Sequence, residues 1–344
     1  MINYIYILSI IIFIYLTNNY FIQKKMLQNA TGELHQSFTS NKKIPLSGGI
    51  YLIISFLLLF SQITLINKII ILIFYLIGFF SDIKILKSPY LRLIFQILLI
   101  FIFIFLNEIL LENTRVIFID ILLDNKVWNY IFVIFCITIV VNGTNFLDGV
   151  NCNVIGYYLI ISLILYKLNI YDSSFVEQNS FFGWIIIVFS IYLLNFSNKL
   201  YLGDNGSYFL GFIYSYLLIS YYLNDQSISP FFIILLLWYP SFENLFSLIR
   251  KLNIGRSPFK PDQNHLHQLI FNYLKNKKII SKNFINSLSG NILIFYNLVI
   301  FYFASLKPEN TQYQILFIIL NITIYCFVYL RLFKFKYKSL FRKK

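Results

Sequence analysis

The chain has 344 residues, of which 58% are hydrophobic and only 12% charged, and its mean hydropathy is +0.72. A water-soluble protein needs about a quarter of its residues charged to cover its surface. These figures therefore exclude a soluble fold, a disordered chain, a disulfide scaffold and a collagen-like fibre, and predict an all-α polytopic integral membrane protein. The net charge of +14 does not call for nucleic acid as a partner, because excess Lys and Arg in a membrane protein marks the cytoplasmic face. Cys136, Cys152 and Cys326 show no paired spacing, hence no disulfide framework and no zinc site.

A helix needs about 20 apolar residues to cross the hydrocarbon core. In chain order, eleven segments are expected to span: 2–22, 49–66, 68–81, 93–111, 127–143, 154–169, 181–195, 207–223, 230–249, 291–306 and 313–331. The first lacks a basic flank and a small-residue cleavage site, and reads as a retained helix. With the N-terminus outside, most of the 28 Lys and Arg fall on the inner side. Only Lys68, Arg115, Lys126, Lys167 and Lys307 fall outside. The positive-inside rule then sets the C-terminus inside. The outer stretch 112–126 alternates enough to predict a short hairpin. Residues 251–290 read as a long cytoplasmic loop and 332–344 as a basic cytoplasmic tail of a single domain over 1–344. No inverted repeat of the transporter kind is evident.

Five inner segments carry the chemistry. The first is Lys42-Lys43-Ile44-Pro45-Leu46-Ser47-Gly48-Gly49, in which lysines suit phosphate and a glycine pair allows close approach to a ligand or a neighbouring helix. Next comes Ser81-Asp82-Ile83-Lys84, running to Arg92. A carboxylate at the end of a membrane helix must be solvated, paired or metal-bound. In Asn142–Asn151, Asn145, Asp148 and two glycines interrupt an apolar run at the membrane border, where polar groups are tolerated beside protein or a water-filled cavity. Tyr201-Leu202-Gly203-Asp204-Asn205-Gly206-Ser207 offers oxygen ligands of the kind Mg²⁺ takes. It also precedes a helix whose N-terminus would favour phosphate, or which Asp204 or Ser207 would simply cap. The last stretch opens on Arg250-Lys251 and holds Gly255-Arg256-Ser257-Pro258-Phe259, Asp262 and His265-Leu266-His267. Its histidine spacing does not match a zinc helix, and histidine can instead meet phosphate or carry a proton.

In this order the five motifs resemble the polyprenyl-phosphate N-acetylhexosamine-1-phosphate transferases, most closely the branch that transfers GlcNAc-1-phosphate to undecaprenyl phosphate. The resemblance implies an eleven-helix enzyme of the bacterial inner membrane with its active site on the cytoplasmic face. Its substrates would be a UDP-N-acetylhexosamine and undecaprenyl phosphate, its cofactor Mg²⁺ or alternatively Mn²⁺, and its assembly state is compatible with a homodimer. Carried over by motif, Asp204 would ligate the metal. Asp82, Asp148, His265 and His267 would serve catalysis, and Lys42, Lys43, Asn145, Asn151, Tyr201 and Arg256 would bind substrate. The chain departs from the family pattern at Ser81, where a first aspartate is usual, and at Gln268, where a further histidine often follows. A lipid phosphate, with a second pKa of ~6, attacks without a protein base, which fits the loss of that first carboxylate. A modified UDP-HexNAc donor, a lipid-phosphate transporter and an inactive paralogue remain as alternative readings of the sequence.

Overall fold

A computed structural model of the chain describes residues 4–28, 44–169, 177–257, 262–277 and 282–338. Fourteen helices follow one another among these residues: α1 (Tyr4–Lys24), α2 (Gly48–Leu59), α3 (Leu65–Asp82), α4 (Pro89–Leu106), α5 (Ile117–Leu123), α6 (Lys126–Leu147) and α7 (Asn153–Lys167), then α8 (Gln178–Phe196), α9 (Gly203–Asn224), α10 (Pro230–Leu236), α11 (Trp238–Asn253), α12 (Leu266–Lys277), α13 (Lys282–Ala304) and α14 (Thr311–Lys336). The described residues contain no strand beyond an isolated bridge between Gln28 and Pro45.

Each of the eleven apolar segments contains a helix among the described residues, but eleven spanning helices are not supported. Seven helices (α1, α3, α4, α6, α8, α13 and α14) are long and apolar enough to cross a membrane, and an eighth span results if α10 and α11 are one bent unit. The reason is partly length. At 1.5 Å per residue, the 12 residues of α2 reach about 18 Å and the 15 of α7 about 22 Å, short of the ~30 Å core. The third case is composition: α9 has 22 residues, but Gly, Ser, Asn and Tyr dilute its apolar run, and it is buried along nearly its whole length. It packs against α2, α3 and α6, with Phe74 of α3 stacked on Phe212, so neighbouring helices and not lipid surround it.

The bend between α10 and α11 is 71° and has a chemical cause. Pro240 has no N–H to donate to the carbonyl four residues back. That carbonyl, of Leu236, accepts instead from the Tyr157 hydroxyl at 2.8 Å, which satisfies a group that would otherwise be orphaned in an apolar interior.

The predicted hairpin over 112–126 is absent. Its centre is the short helix α5, entered by a turn in which Asp120 Oδ1 accepts from both the backbone N–H and the hydroxyl of Thr114 at 2.6 Å. A helix satisfies its own backbone, whereas an isolated hairpin would leave two open edges beside the bilayer. Two stretches read as loop are likewise partly helical: α12 lies within 251–290, and α14 runs into the basic tail as far as Lys336.

Candidate active site

The site forms where the C-terminal ends of α3 and α6 meet the N-terminal ends of α4 and α9. The chain reaches α9 through Lys199–Leu202, which hydrogen-bonds the segment before α2. Tyr201 N–H donates to Pro45 O at 2.9 Å, Gly48 N–H to Tyr201 O at 3.0 Å and Gly49 N–H to Leu202 O at 3.2 Å. A Cβ on Gly49 would stand 2.0 Å from Asn205 Oδ1. The glycine pair therefore serves helix packing: it lets α2 close on the first turn of α9.

That first turn is capped from outside. Gly203 has φ +80°, a left-handed conformation that glycine adopts without steric cost, and this turns the next two N–H groups toward α3. Asp82 Oδ1 accepts from Asp204 N–H at 2.9 Å and Oδ2 from Asn205 N–H at 3.1 Å, while Asp148 accepts from Gly203 N–H. Neither Asp204 nor Ser207 is the cap. With these three donors consumed by carboxylates, the anticipated phosphate site at the start of α9 is already filled by protein.

Asp204 is thereby aimed into the space between α3, α4 and α6. Its Oδ1 accepts from Asn145 Nδ2 at 2.7 Å. Its Oδ2 accepts from the Ser81 hydroxyl at 2.6 Å and from Arg92 Nη1 at 2.8 Å. Arg92 Nη1 also reaches Ser81 Oγ at 2.5 Å and the Tyr208 hydroxyl at 3.4 Å. Ser81 therefore links a carboxylate to a guanidinium, and the position of the usual first aspartate is held by a neutral hydroxyl. Burial pushes the Asp148 carboxyl well above the ordinary carboxylate range. The charges of Asp204 and Asp82 add to this, and the Gly203 N–H opposes it.

These groups line a cavity of about 1120 Å³. Asp82, Asp148, Asp204, Asn145, Arg92 and Tyr208 form its polar floor, and Lys84 and Lys87 also face it. One side is apolar, with Ile97 of α4 and Ile131, Ile134 and Phe135 of α6. The far wall comes from the second half of the chain: Lys251 of α11, and Asp262, His265 and Gln268. There His265 Nδ1 lies 2.9 Å from Glu243 Oε1 and Nε2 lies 3.3 Å from Asp262 Oδ1, while Arg250 pairs with Asp262 at 2.9 Å. Burial raises the Asp262 carboxyl, but His265, Arg250 and Lys251 together outweigh it and hold Asp262 below its ordinary value.

The structure thus gathers Asp82, Asp148, Asp204, Asn145, Asn151, Tyr201 and His265 around one cavity. Asn151 lines it, but its amide donates to Asn195 O and Asn198 Oδ1, anchoring the end of α8. His267 is fully buried behind His265, its ring stacked 5.7 Å away with no hydrogen-bond partner on either nitrogen, and it is not part of the cavity wall. Arg256 is exposed in the turn after α11, also away from that wall. Lys42 and Lys43 lie outside the described residues. Sequence reasoning placed Arg92 and Lys251 in its motifs only as neighbouring cations, and it missed Tyr208 and Glu243. The last had a legible signal: a lone carboxylate within the apolar segment 230–249, which at that depth requires a partner.

Among the described residues no group of three or more His, Cys, Asp or Glu could form a protein cage. Asp204, with its side chain 29% exposed to the cavity, fits a hard cation that takes one or two carboxylates and fills its remaining positions with substrate phosphates and water.

Residues 64–222 match the model of glycosyl transferase family 4. Among curated proteins the chain is similar to the undecaprenyl-phosphate alpha-N-acetylglucosaminyl 1-phosphate transferases of several bacteria. It is 26% identical to that of Yersinia pestis over 150 residues, 42% of this chain and 41% of the relative. Identity to that of Thermotoga maritima is 27% over 129 residues, 38% of each. To that of Escherichia coli K12 it is 24% over 149 residues, 42% of this chain and 41% of the relative. The match spans about two-fifths of the length of these relatives. The residues matched by the family model contain the Asp82, Asn142–Asn151 and Gly203–Ser207 motifs, and the resemblance drawn from the motifs holds over that region.

Proposed function

We propose that the chain transfers a HexNAc-1-phosphate, most plainly GlcNAc-1-phosphate, from a UDP-sugar to undecaprenyl phosphate and releases UMP. The reaction would take place at the cytoplasmic face of the bacterial inner membrane, as a first membrane step in cell-surface polysaccharide synthesis. The observation that carries this reading is the cavity lined by four carboxylates, an arginine, three lysines and a histidine beside an apolar wall. Such a lining suits one substrate arriving from water and one from the bilayer. The distribution of Lys and Arg supports the inside orientation of this end.

In the proposed reaction an oxygen of the lipid phosphate attacks the β-phosphorus of the UDP-sugar in line. A new phosphoanhydride bond forms, the bond to the α-phosphate oxygen breaks, and UMP leaves with that electron pair. Phosphoryl transfer of this kind depends mainly on positioning and charge neutralisation. Arg92, Lys251, Lys84 and Lys87 supply positive charge around the cavity and draw in both anions. Asp82 and Asp148 act one step back, fixing the first turn of α9 and thereby the direction of Asp204. Asp204 would hold Mg²⁺, or Mn²⁺ in its place, and the bound ion would neutralise charge on the departing nucleotide. His265 offers Nε2 to the diphosphate or sugar.

The test is UMP release by the purified protein in detergent, with undecaprenyl phosphate, Mg²⁺ and a panel of UDP-sugars. Release with UDP-GlcNAc is expected, and Asp204→Asn should lower it at least about a hundredfold while leaving the protein folded. Release only with another UDP-HexNAc would keep the chemistry and change the donor. No release with any donor from folded protein, or near-wild-type turnover by D204N, would overturn the reading.

A further inference from the structure

Glu243 has no part in the chemistry proposed above, yet it is fully buried in α11 and a buried carboxylate is costly without partners. It has two. Oε2 accepts from the Tyr325 hydroxyl of α14 at 2.7 Å, and Oε1 meets His265 Nδ1 at 2.9 Å. A carboxylate can only accept, so Nδ1 carries the proton in this contact. The other nitrogen, Nε2, faces the cavity side, 3.3 Å from Asp262 Oδ1. That separation is too long for a good hydrogen bond.

The rest of the surroundings holds the ring in place. Phe146 and His267 flank it at 5.3 and 5.7 Å, and Gln268 Oε1 accepts from the His265 backbone N–H at 3.2 Å. Lys336 and Tyr337 secure the preceding residues, donating to Asn264 Oδ1 at 2.7 and 2.9 Å. The ring therefore has a fixed plane, and Glu243 decides which nitrogen is inward and protonated.

We propose that Glu243 is a positioning residue for the transferase reaction: anchored by Tyr325, it fixes His265 with Nδ1–H inward and presents Nε2 to the substrate. The inference rests on the proposed transferase function. An imidazole oriented by a buried carboxylate acquires a defined tautomer, and removing the charge while keeping the shape leaves the ring in place with the wrong nitrogen protonated. In Glu243→Gln the amide NH₂ competes for Nδ1 while Tyr325 still donates to the carbonyl.

The experiment has two independent readouts on protein in detergent: kcat and KM for UDP-GlcNAc in the UMP assay, and the ¹⁵N-histidine NMR spectrum, with His265 identified by its loss in His265→Asn. In E243Q, kcat should fall about a hundredfold or more with KM within about threefold, and the His265 Nδ1–H signal should be lost or shifted. Glu243→Asp, which keeps the charge on a shorter arm, should recover part of kcat and of the signal. A kcat within threefold of wild type, or an unchanged His265 spectrum in folded E243Q, would overturn the proposal. Should E243Q not fold, Tyr325→Phe is read the same way: a several-fold loss of kcat with a loosened tautomer supports it, and wild-type values for both overturn it. Absence of UMP release by the wild type would defeat the functional reading alone, since the NMR readout requires no turnover.

Discussion

Arg92 lies in the first turn of α4, and Arg115 in the segment beyond its other end, past 18 helical residues or about 27 Å of helix, and the chain uses them in opposite ways. Arg115 spends both terminal nitrogens on closing structure. Nη1 donates to Glu309 O and Thr311 Oγ1, and Nη2 to the carbonyls of Gln226, Ser227 and Ile228, all at 2.8–3.0 Å. Nearby, Asn67 and Asn107 exchange reciprocal bonds at 2.8 and 3.0 Å. Arg92 instead makes its contacts through Nη1 alone, to Asp204, Ser81 and Tyr208, and its Nε is buried without a hydrogen-bond partner. His267 and the Asn205 amide are unpartnered at the same end. A saturated arginine is a clasp. One that pairs with a single carboxylate in a cavity wall, beside unsatisfied polar groups, has bonding capacity left over.

Substituting Arg92 tests that contrast with the largest effect. Arg92→Ala removes the guanidinium from Asp204 and should lower UMP release by about a hundredfold to a thousandfold. Arg92→Lys, which keeps charge but not the planar fork, should retain more. Near-wild-type turnover in R92A would make Arg92 a second clasp and erase the distinction. The converse variant is Arg115→Ala. It should cost about 2 kcal/mol of stability through the lost charged hydrogen bonds, seen as a lower Tm, while kcat and KM stay within about twofold. A tenfold loss of kcat in R115A would mean that the far end is coupled to the cavity.

The same contrast explains what could be read beforehand. Apolar run length is a one-dimensional property, so each of the eleven segments contains a helix. Which of them span depends on packing partners: α9 is enclosed by α2, α3 and α6, and the bend at Leu237 required both Pro240 and a hydroxyl, Tyr157, from another helix. At the site, the motif residues Asp82, Asn145, Asp148, Asp204 and His265 were legible because polar residues in an apolar run require a reason. Their division of labour was not. That Asp82 caps α9, that the Asn151 amide is spent on the end of α8, and that Glu243 stands behind His265 are facts about chain segments distant in sequence. The glycine pair at 48–49 admitted either a ligand or a helix, and contact with Asn205 settles it for the helix.

The smallest expected effect concerns His267, which separates a buried group at the cavity end from a ligand-facing one. Burial lowers its pKa well below the ordinary 6.5, and neighbouring His265 lowers it further, so His267 stays neutral in the folded protein. In the unfolded chain it takes up a proton below about pH 6.5. The unfolded state then binds more protons, and stability falls as pH falls. One pH unit below the ordinary value this costs about 1.4 kcal/mol, with nearly the full stability present above pH 7. His267→Leu abolishes the proton uptake, so between pH 7.5 and 5.5 its Tm should fall less than that of the wild type by roughly 2 °C. An equal fall in both would mean that water or another group reaches His267 in the folded state. That would move it from the packing behind His265 to the cavity itself.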